Sequence, residues 1–269
     1  MKRLLITGAA GGVGRAMRPR LRDLAQTLRL ADMIAITDAG AHEETVCCDL
    51  NDAQAVREMV RGCDGILHLG GKSTEGDFET ILEGNIRGTY NLYEAARAEG
   101  ISRVLFASSN HTIGFYEQDQ RLKTTDPMRP DSLYGVSKCF GEALASMYHD
   151  KFGIETAIVR IGSCFETPAN HRMLSTWLSY DDFAALVACV FRAPELGCPV
   201  IWGASDNTAG WWQGMGADAI GWHPKDNAES FRAAVEAMGP KPPAHDPNSR
   251  YQGGMFTAEP IHRREEAVL

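Results

Sequence analysis

A glycine-rich segment directly after the first apolar run constrains the fold of this chain more than any other feature. Leu4-Leu5-Ile6 is typical of a short buried strand, and Gly8-Ala9-Ala10-Gly11-Gly12-Val13-Gly14 follows it and opens a segment of helical period. Glycines in such a turn permit a tight bend and close approach to a pyrophosphate, while the helix N-terminus supplies unpaired N–H groups. The spacing is GxxGxxG and not GxGxxG, so the turn needs support from the rest of the chain.

Apolar runs rich in Leu, Ile and Val alternate with longer segments of helical period. Continuous apolar runs are typical of strands buried on both faces, and helices between them give right-handed crossovers. Strands are predicted at Arg3–Thr7, Leu28–Ala31, Thr45–Cys48, Gly65–Leu69, Arg103–Ala107 and Glu155–Ile161, and helices at Val13–Leu28, Asp52–Arg61, Phe78–Glu99 and Leu133–Phe152. The chain is therefore predicted to be an α/β protein with a doubly wound parallel sheet, the Rossmann fold.

The alternation weakens after about residue 162. One more helix is predicted at Asp181–Arg192 and a short strand at Val200–Trp202, whereas Trp211–Trp222 and Gly239–Pro247 are interpreted as segments that cross the surface. We therefore expect residues 1–269 to form a single domain, in which residues from about 163 to 269 contribute a small C-terminal substrate-binding cap. Pro19 lies inside the first predicted helix, so we expect a kink or a delayed start there.

Composition limits the classes of binding partner and the cellular location that we expect. The 269 residues carry a net charge of −8, which gives no positive field for nucleic acid or an anionic membrane surface. The seven cysteines include no CxxC and no metal-ligand spacing with histidine, so we expect reduced thiols and no metal. The first apolar run is too short for a signal peptide, and no run approaches the roughly 20 residues of a membrane span. A soluble, cytoplasmic protein is predicted.

Asp32 supports the interpretation of the glycine turn. It ends the second predicted strand, 18 residues beyond Gly14, where a carboxylate accepts from both adenosine ribose hydroxyls and repels the 2′-phosphate of NADP. The sequence therefore predicts NAD as the cofactor. Asp38 is a competing acid, but it lies past the strand end and is interpreted as a solvated loop residue. Asp49-Leu50 follows the third strand, where an adenine contact and a helix-capping role both stay open.

Tyr134-Gly135-Val136-Ser137-Lys138 opens the helix after the fifth predicted strand and places Tyr134 and Lys138 on one face. A tyrosine with a pKa of about 10 is a poor base, but a neighbouring ammonium and a cationic nicotinamide favour the phenolate and lower that pKa. An isolated YxxxK is often a surface aromatic–lysine pair. Its position here, downstream of a strand that ends in Ala107-Ser108-Ser109, favours catalysis.

Over about residues 3 to 165 the chain resembles the extended short-chain dehydrogenase/reductase family, also called the NAD-dependent epimerase/dehydratase family. The resemblance implies that Ser109 hydrogen-bonds the substrate oxygen, that Tyr134 is the acid/base, and that Lys138 lowers its pKa and holds the nicotinamide ribose. It also implies a homo-oligomer formed through the helices around 78–99 and 133–152. The residues implied to bind the cofactor are Gly8, Gly11, Gly12, Val13, Gly14, Asp32, Asp49, Leu50, Leu69, Gly70, Gly71, Lys138 and Ile161.

Four further segments resemble the members of that family that oxidise hexuronic acids: 70–73, 108–114, 160–164 and 172–179. The resemblance implies oxidation of the C1 hydroxyl of cyclic galacturonate or glucuronate with NAD, which gives the aldarolactone. An arginine fork matches a carboxylate, so Arg172 is expected to take the C6 carboxylate. The implied substrate contacts are Ser73, Ser109, Asn110, His111, Tyr134, Ser163 and Arg172.

For three of these residues a role without substrate contact remains open: Arg172 as a surface arginine, His111 as a packed loop histidine and Asn110 as a turn residue. Two alternatives also exist for the whole chain. One is a nucleotide-sugar epimerase or dehydratase, although the part of the chain after the sheet is short for holding a nucleotide. The other is a non-catalytic module that senses NAD or binds a protein, against which the presence of Ser109, Tyr134 and Lys138 argues.

Overall fold

A parallel sheet of seven strands forms the centre of the computed structural model, which describes residues 1–263. Its strands in chain order are β1 (Arg3–Thr7), β2 (Thr27–Asp32), β3 (Glu43–Cys47), β4 (Gly65–His68), β5 (Arg103–Ser109), β6 (Glu155–Ile161) and β9 (Val200–Gly203), with β7 (Ser163–Cys164) and β8 (Trp177–Leu178) forming a separate pair. The spatial order is β3-β2-β1-β4-β5-β6-β9, and every neighbouring pair is parallel. The predicted doubly wound sheet is confirmed.

Helices cover both faces of the sheet. They are α1 (Gly12–Arg20), α2 (Ala53–Val60), α3 (Phe78–Ile81), α4 (Gly88–Ala98), α5 (Leu133–Phe152), α6 (Met173–Thr176), α7 (Tyr180–Arg192), α8 (Arg232–Ala237) and α9 (Pro247–Arg250). Asp52 caps α2 by accepting from the N–H groups of Gln54 and Ala55, and Gly153 ends α5 with φ +70°. The start of α2 and the end of α5 lie within one residue of the predicted bounds.

Successive residues of β1 point to opposite faces of the sheet, and each face packs against its own hydrophobic core. Leu4 and Ile6 pack in the layer that contains Phe183 of α7, while Leu5 packs in the layer of α2, α4 and α5. Two elements from the predicted cap segment therefore belong to the sheet layers, namely α7 and the edge strand β9. The assignment of residues 1–269 to a single domain stays a prediction.

The strand order reverses next to β1. The chain moves outward from β1 to β2 and β3, then returns to β4 on the other side of β1, so the crevice at the carboxyl ends of β1 and β4 is a topological switch point. Ligands of open α/β sheets bind in such crevices. The glycine turn after β1 and the loop after β4 border this one.

The structure corrects two expectations and refines a third. Helix α1 starts without delay at Gly12, includes Pro19 and ends at Arg20, eight residues before the predicted end, because the residues from Thr27 onwards pair with β1 as strand β2. The predicted helix 78–99 is interrupted by a π-helical turn at Leu82–Arg87. The segment Trp211–Trp222 does run along the surface, with Gln213, Gly214 and Asp218 among its exposed residues, but its two terminal tryptophans are buried and anchor it.

All seven cysteines are free thiols, as expected. Burial raises the pKa of Cys63 to about 11, so its protonated form dominates at neutral pH. Within residues 1–263, no helix combines the length and the apolar character needed to cross a membrane.

Candidate active site

The glycine turn packs closely against the sheet on one side and is open on the other. Gly8 has φ +70°, and an added Cβ would lie 2.8 Å from the backbone that follows β4. At Gly14 an added Cβ would lie 2.3 Å from the carbonyl oxygen of Gly8, whereas at Gly12 it would meet nothing within 4 Å. Gly11 is exposed and Val13 half-buried. The turn therefore leaves room for a phosphate to approach the backbone at the start of α1.

Asp32 lies beside this turn at the end of β2. One carboxylate oxygen accepts from the N–H of Ala10 at 2.9 Å and the other from the N–H of Ile34 at 3.1 Å. The competing Asp38 lies elsewhere: its side chain is 73% exposed and pairs with Arg18, which holds the pKa of Asp38 below its usual range. Asp32 is thus the acid at the strand end, as the sequence predicts.

The segment Leu69-Gly70-Gly71 is tied down from two sides. Thr7 accepts a hydrogen bond from the N–H of Gly70 at 3.0 Å. Asn85, in the π-helical turn, accepts from the N–H of Lys72 at 2.7 Å and donates to its carbonyl at 3.0 Å. π-helical turns occur frequently at functional sites, and this one holds the backbone at the switch point.

Three other predicted cofactor positions border the same edge of the sheet. Leu50 lies against the loop after β4, 3.0 Å from where a Cβ of Gly70 would be. Asp49 accepts from the N–H of Asn51 at 2.9 Å, while Asp52 caps α2, so the capping alternative for Asp49 is not observed. Ile161 ends β6 and is half-buried.

Ser109, Tyr134 and Lys138 form one buried cluster at the end of β5 and the start of α5. The side chain of Ser109 interacts with that of Tyr134 and acts to lower its pKa. The ammonium of Lys138 donates to the carbonyl of Ala107 at 2.8 Å and lies 5.6 Å from the centroid of the Tyr134 ring. Ser132 caps α5 through the N–H of Gly135 at 2.9 Å, which positions the first turn of the helix and Tyr134 with it.

Taken together, the chain's own groups raise the pKa of Tyr134. Burial, the strongest influence, raises this pKa to about 12; Asp131 adds to the rise, and the interaction with Ser109 opposes it. Burial also lowers the pKa of Lys138 to about 8. The sequence-based expectation is that Lys138 and a cationic nicotinamide together lower the pKa of Tyr134; because the protein groups raise it, phenolate formation needs further positive charge near the ring.

Most of the predicted substrate residues lie around this cluster. Asn110 and His111 are buried in the turn after Ser109, and the His111 ring lies 5.6 Å from that of Tyr134. Ser163 is buried and hydrogen-bonded with Thr176 at 2.9 Å. Ser73 lies exposed in the loop before α3, and its side chain has no hydrogen bond to the rest of the site within residues 1–263.

Arg172, which is half-buried, differs from the two buried arginines, Arg18 and Arg160. Arg18 pairs with Asp38 and Glu43, and Arg160 pairs with Glu142. Arg172 has no ion pair in the described part of the chain; its Nε donates to the carbonyl of Gln252 at 2.8 Å, and burial lowers its pKa to about 10. Because buried charges are usually paired, an arginine in this state is suited to an incoming anion. The surface-arginine alternative is not observed.

The sequence did not reveal the residues that hold the substrate side together. Gln252 is fully buried, and its carbonyl accepts from both Arg172 and Asn110. Phe256 stacks on His111 with ring centroids 3.8 Å apart. Glu75 accepts from the N–H of Tyr134 at 3.0 Å. Their positions depend on contacts between distant segments, and no local motif indicates them.

A sheet with this strand order, a glycine turn at its switch point and a buried Ser–Tyr–Lys cluster define a Rossmann-fold oxidoreductase. The chain belongs to the NAD dependent epimerase/dehydratase family, whose sequence profile matches residues 4–196.

Relatives are similar over nearly the whole chain. The uronate dehydrogenase of Agrobacterium fabrum is 61% identical over 98% of this chain and 100% of its own length. That of Pseudomonas putida is 54% identical over 94% of this chain and 95% of its own. The crystal structure of a tyrosine-to-alanine mutant of uronate dehydrogenase from Agrobacterium tumefaciens, complexed with NAD, superposes with a TM-score of 0.96 at 61% identity. It covers 98% of this chain and 100% of the other.

Proposed function

We propose that this protein is an NAD-dependent dehydrogenase that oxidises the C1 hydroxyl of cyclic galacturonate and glucuronate to the aldarolactone. One observation of the site carries the proposal: Arg172, which has no ion pair within residues 1–263, donates to the same Gln252 carbonyl as Asn110, next to His111 at the Tyr134 ring. This arrangement suits a sugar that presents a carboxylate at one end and a reactive hydroxyl at the other. The relatives with this full-length similarity are uronate dehydrogenases, which does not favour an epimerase or dehydratase.

The residues at the switch point fit NAD. The open side of the turn at Gly12 and the N-terminus of α1 suit the pyrophosphate, and Asp32 is placed for the adenosine ribose. Asp49 and Leu50 would border the adenine, while the segment from Leu69 to Gly71 and Ile161 would line the rest of the crevice. The carboxylate of Asp32 would repel the 2′-phosphate of NADP, so NAD is the preferred cofactor.

When bound, NAD supplies the hydride acceptor for C1 and a positive charge beside the site. Tyr134 takes the proton of the C1 hydroxyl, so that oxidation leaves a C1 carbonyl and thus a lactone. Ser109 hydrogen-bonds the same oxygen and interacts with the Tyr134 side chain, which positions the proton for transfer. Lys138 contributes a positive charge on one side of the ring, held in place by the carbonyl of Ala107.

Sugar recognition is assigned to the surrounding side chains. Arg172 takes the C6 carboxylate, while Asn110, His111 and Ser163 hydrogen-bond the ring hydroxyls. Asn110 has a buried carbonyl oxygen, Oδ1, without a hydrogen-bond partner in the described structure, and a sugar hydroxyl would satisfy it. Ser73, exposed on the loop before α3, would complete the contacts.

Helices α4 and α5 also offer an association surface. Exposed apolar side chains lie on these helices and on α3, namely Phe78, Tyr90, Val136, Met147 and Phe152. Such side chains, exposed on neighbouring helices, suit burial against a second copy of the chain, so we infer a homo-oligomer. We expect a cytoplasmic protein without nucleic-acid or membrane partners, in line with its net charge of −8.

A substrate panel tests the proposal. Galacturonate, glucuronate, galactose and UDP-glucose would each be supplied with NAD or NADP, with NADH followed by absorbance and the product identified by mass spectrometry. We expect oxidation of both uronates with NAD and a poor reaction with galactose. Efficient turnover of UDP-glucose without net NADH formation would contradict the proposal, because it would indicate an epimerase or a dehydratase.

A further inference from the structure

Asp131 is a buried carboxylate to which the mechanism above gives no role. Its side chain is fully buried in the loop before α5. Two glycines enclose it: a Cβ added at Gly114 would lie 1.7 Å from Oδ2, and one added at Gly253 would lie 1.9 Å from the same atom. The N–H of Gly253 donates to the carbonyl of Gly114 at 2.9 Å, which closes the enclosure. The backbone therefore leaves a space shaped for this side chain.

Both oxygens of Asp131 have a defined partner. Oδ2 lies 2.7 Å from Nδ1 of His111, and Oδ1 accepts from the hydroxyl of Ser132 at 2.8 Å. A carboxylate only accepts hydrogen bonds, so the short contact with His111 requires the proton on Nδ1. The Nε2 atom of His111 has no hydrogen bond within residues 1–263.

The charged and titratable groups around His111 agree with a neutral imidazole. Burial is the largest influence and lowers the pKa of His111; Arg172 lowers it further, whereas Asp131 and Glu75 raise it. Phe256 stacks on one face, and Tyr134 lies at the edge of the ring. With the proton held on Nδ1, Nε2 carries a lone pair that can accept a hydrogen bond.

We propose that Asp131 is a positioning residue that holds the His111 proton on Nδ1, so that Nε2 accepts a hydrogen bond from a sugar hydroxyl. This inference rests on the proposed oxidation of hexuronates and adds a determinant of how the sugar is held. The same carboxylate orients the imidazole ring, because Gly114 and Gly253 leave Oδ2 little room to move.

Asp131→Asn tests this role, because the amide keeps the shape but can turn its NH2 group towards Nδ1. We expect kcat/KM for galacturonate to fall about tenfold, mainly through KM, since a hydrogen bond to the substrate is weakened. Imidazole 15N NMR should show His111 protonated on Nδ1 in the parent and on Nε2 in the variant. Asp126→Asn is the matched control: Asp126 accepts from the N–H of Lys123 at 2.8 Å in the same loop and has no bond to His111.

A double-mutant cycle separates action through His111 from a general structural effect. If Asp131 acts through the imidazole, Asp131→Asn should change kcat/KM less than twofold when His111 is already alanine. Equal losses in both backgrounds would overturn the proposal, as would an Nε2-protonated His111 in the active parent. Melting temperature and NAD affinity identify a variant that fails to fold, and the NMR signals of the parent then still test the tautomer. A parent that oxidises no uronate would instead refute the proposed function.

Discussion

The cofactor side and the sugar side of the candidate site consist of different chemical groups. The cofactor side is made largely of backbone: a glycine turn, a helix N-terminus and the ends of β1 and β4. Asp32 reaches this turn through Ala10, only 22 residues away in the chain. The sugar side is made of side chains from distant segments, because Gln252 joins Arg172, 80 residues away, and Asn110, 142 residues away.

This difference predicts how substitutions impair each side. Where backbone groups form the site, an added methyl group impairs folding or cofactor binding because it clashes with neighbouring atoms. Where side chains form it, loss of one charge or hydroxyl acts on one substrate group and leaves the fold intact. In the proposed mechanism Tyr134 belongs to both sides, since it takes a proton from the sugar and needs the positive charge of the cofactor to do so.

The largest effect is expected at Tyr134. Tyr134→Phe removes only the hydroxyl that exchanges the proton, so kcat should fall by about 10²- to 10⁴-fold while NAD affinity stays nearly unchanged. Steady-state kinetics and NAD titration by fluorescence check this. Turnover within threefold of the parent would exclude Tyr134 as the base.

Substitutions at two glycines separate an effect on packing within the protein from an effect on the space that the cofactor would occupy. Gly14→Ala places a Cβ 2.3 Å from the carbonyl oxygen of Gly8, so it should destabilise the fold by about 1–3 kcal/mol and weaken NAD binding. Gly12→Ala meets open space and gains helix propensity, so it should weaken NAD binding at least about tenfold without lowering the melting temperature. Calorimetry and NAD titration measure both. Equal melting losses in the two variants would show that the space at Gly12 has another purpose.

Cofactor choice should depend on one carboxylate. Asp32→Ala removes the repulsion of a 2′-phosphate together with two ribose hydrogen bonds, so the NAD to NADP ratio of kcat/KM should shrink by about tenfold. The ratio is measured with galacturonate at saturation. Asp38→Ala, at a solvated acid, is the control and should leave the ratio unchanged. A parent that prefers NADP would mean that Asp32 has been assigned the wrong role.

The smallest expected effect concerns the free energy of unfolding, which the burial of the Lys138 ammonium lowers. Burial lowers its pKa from 10.5 to about 8, so between these pH values the unfolded chain binds more protons and stability rises with pH. Below pH 8 the cost is fully present, about 3 kcal/mol at 1.36 kcal/mol per pKa unit. Lys138→Met removes this cost but also the bond to Ala107, so we expect a net gain of about 1 kcal/mol at pH 7. Urea unfolding should show this gain shrinking from pH 8 to 10; a gain independent of pH would contradict the account.

The same contrast explains how much could be predicted. The sheet, the glycine turn, Asp32 and the Tyr134–Lys138 pair follow from local patterns, because each depends on spacing within one βα unit or one helical turn. Helix α1 was predicted too long because its pattern continues past Pro19 without an alternative stop signal. Gln252, Phe256 and Asp131 left no signal, since their positions result from contacts across the chain. The raised pKa of Tyr134 depends on burial, which a motif does not report.

The most direct test of the central claim, that Arg172 selects a sugar acid for oxidation at the Tyr134 cluster, is the ratio of galacturonate to galactose efficiency. Galactose carries CH2OH in place of the carboxylate, so Arg172→Ala should affect it little. Loss of a charge-assisted bond should lower kcat/KM for galacturonate, and with it the ratio, by about 10- to 100-fold. Arg57→Ala, at an exposed arginine paired with Glu99, should leave the ratio unchanged. A ratio within a factor of two of the parent after Arg172→Ala would contradict the claim and assign the carboxylate to another group.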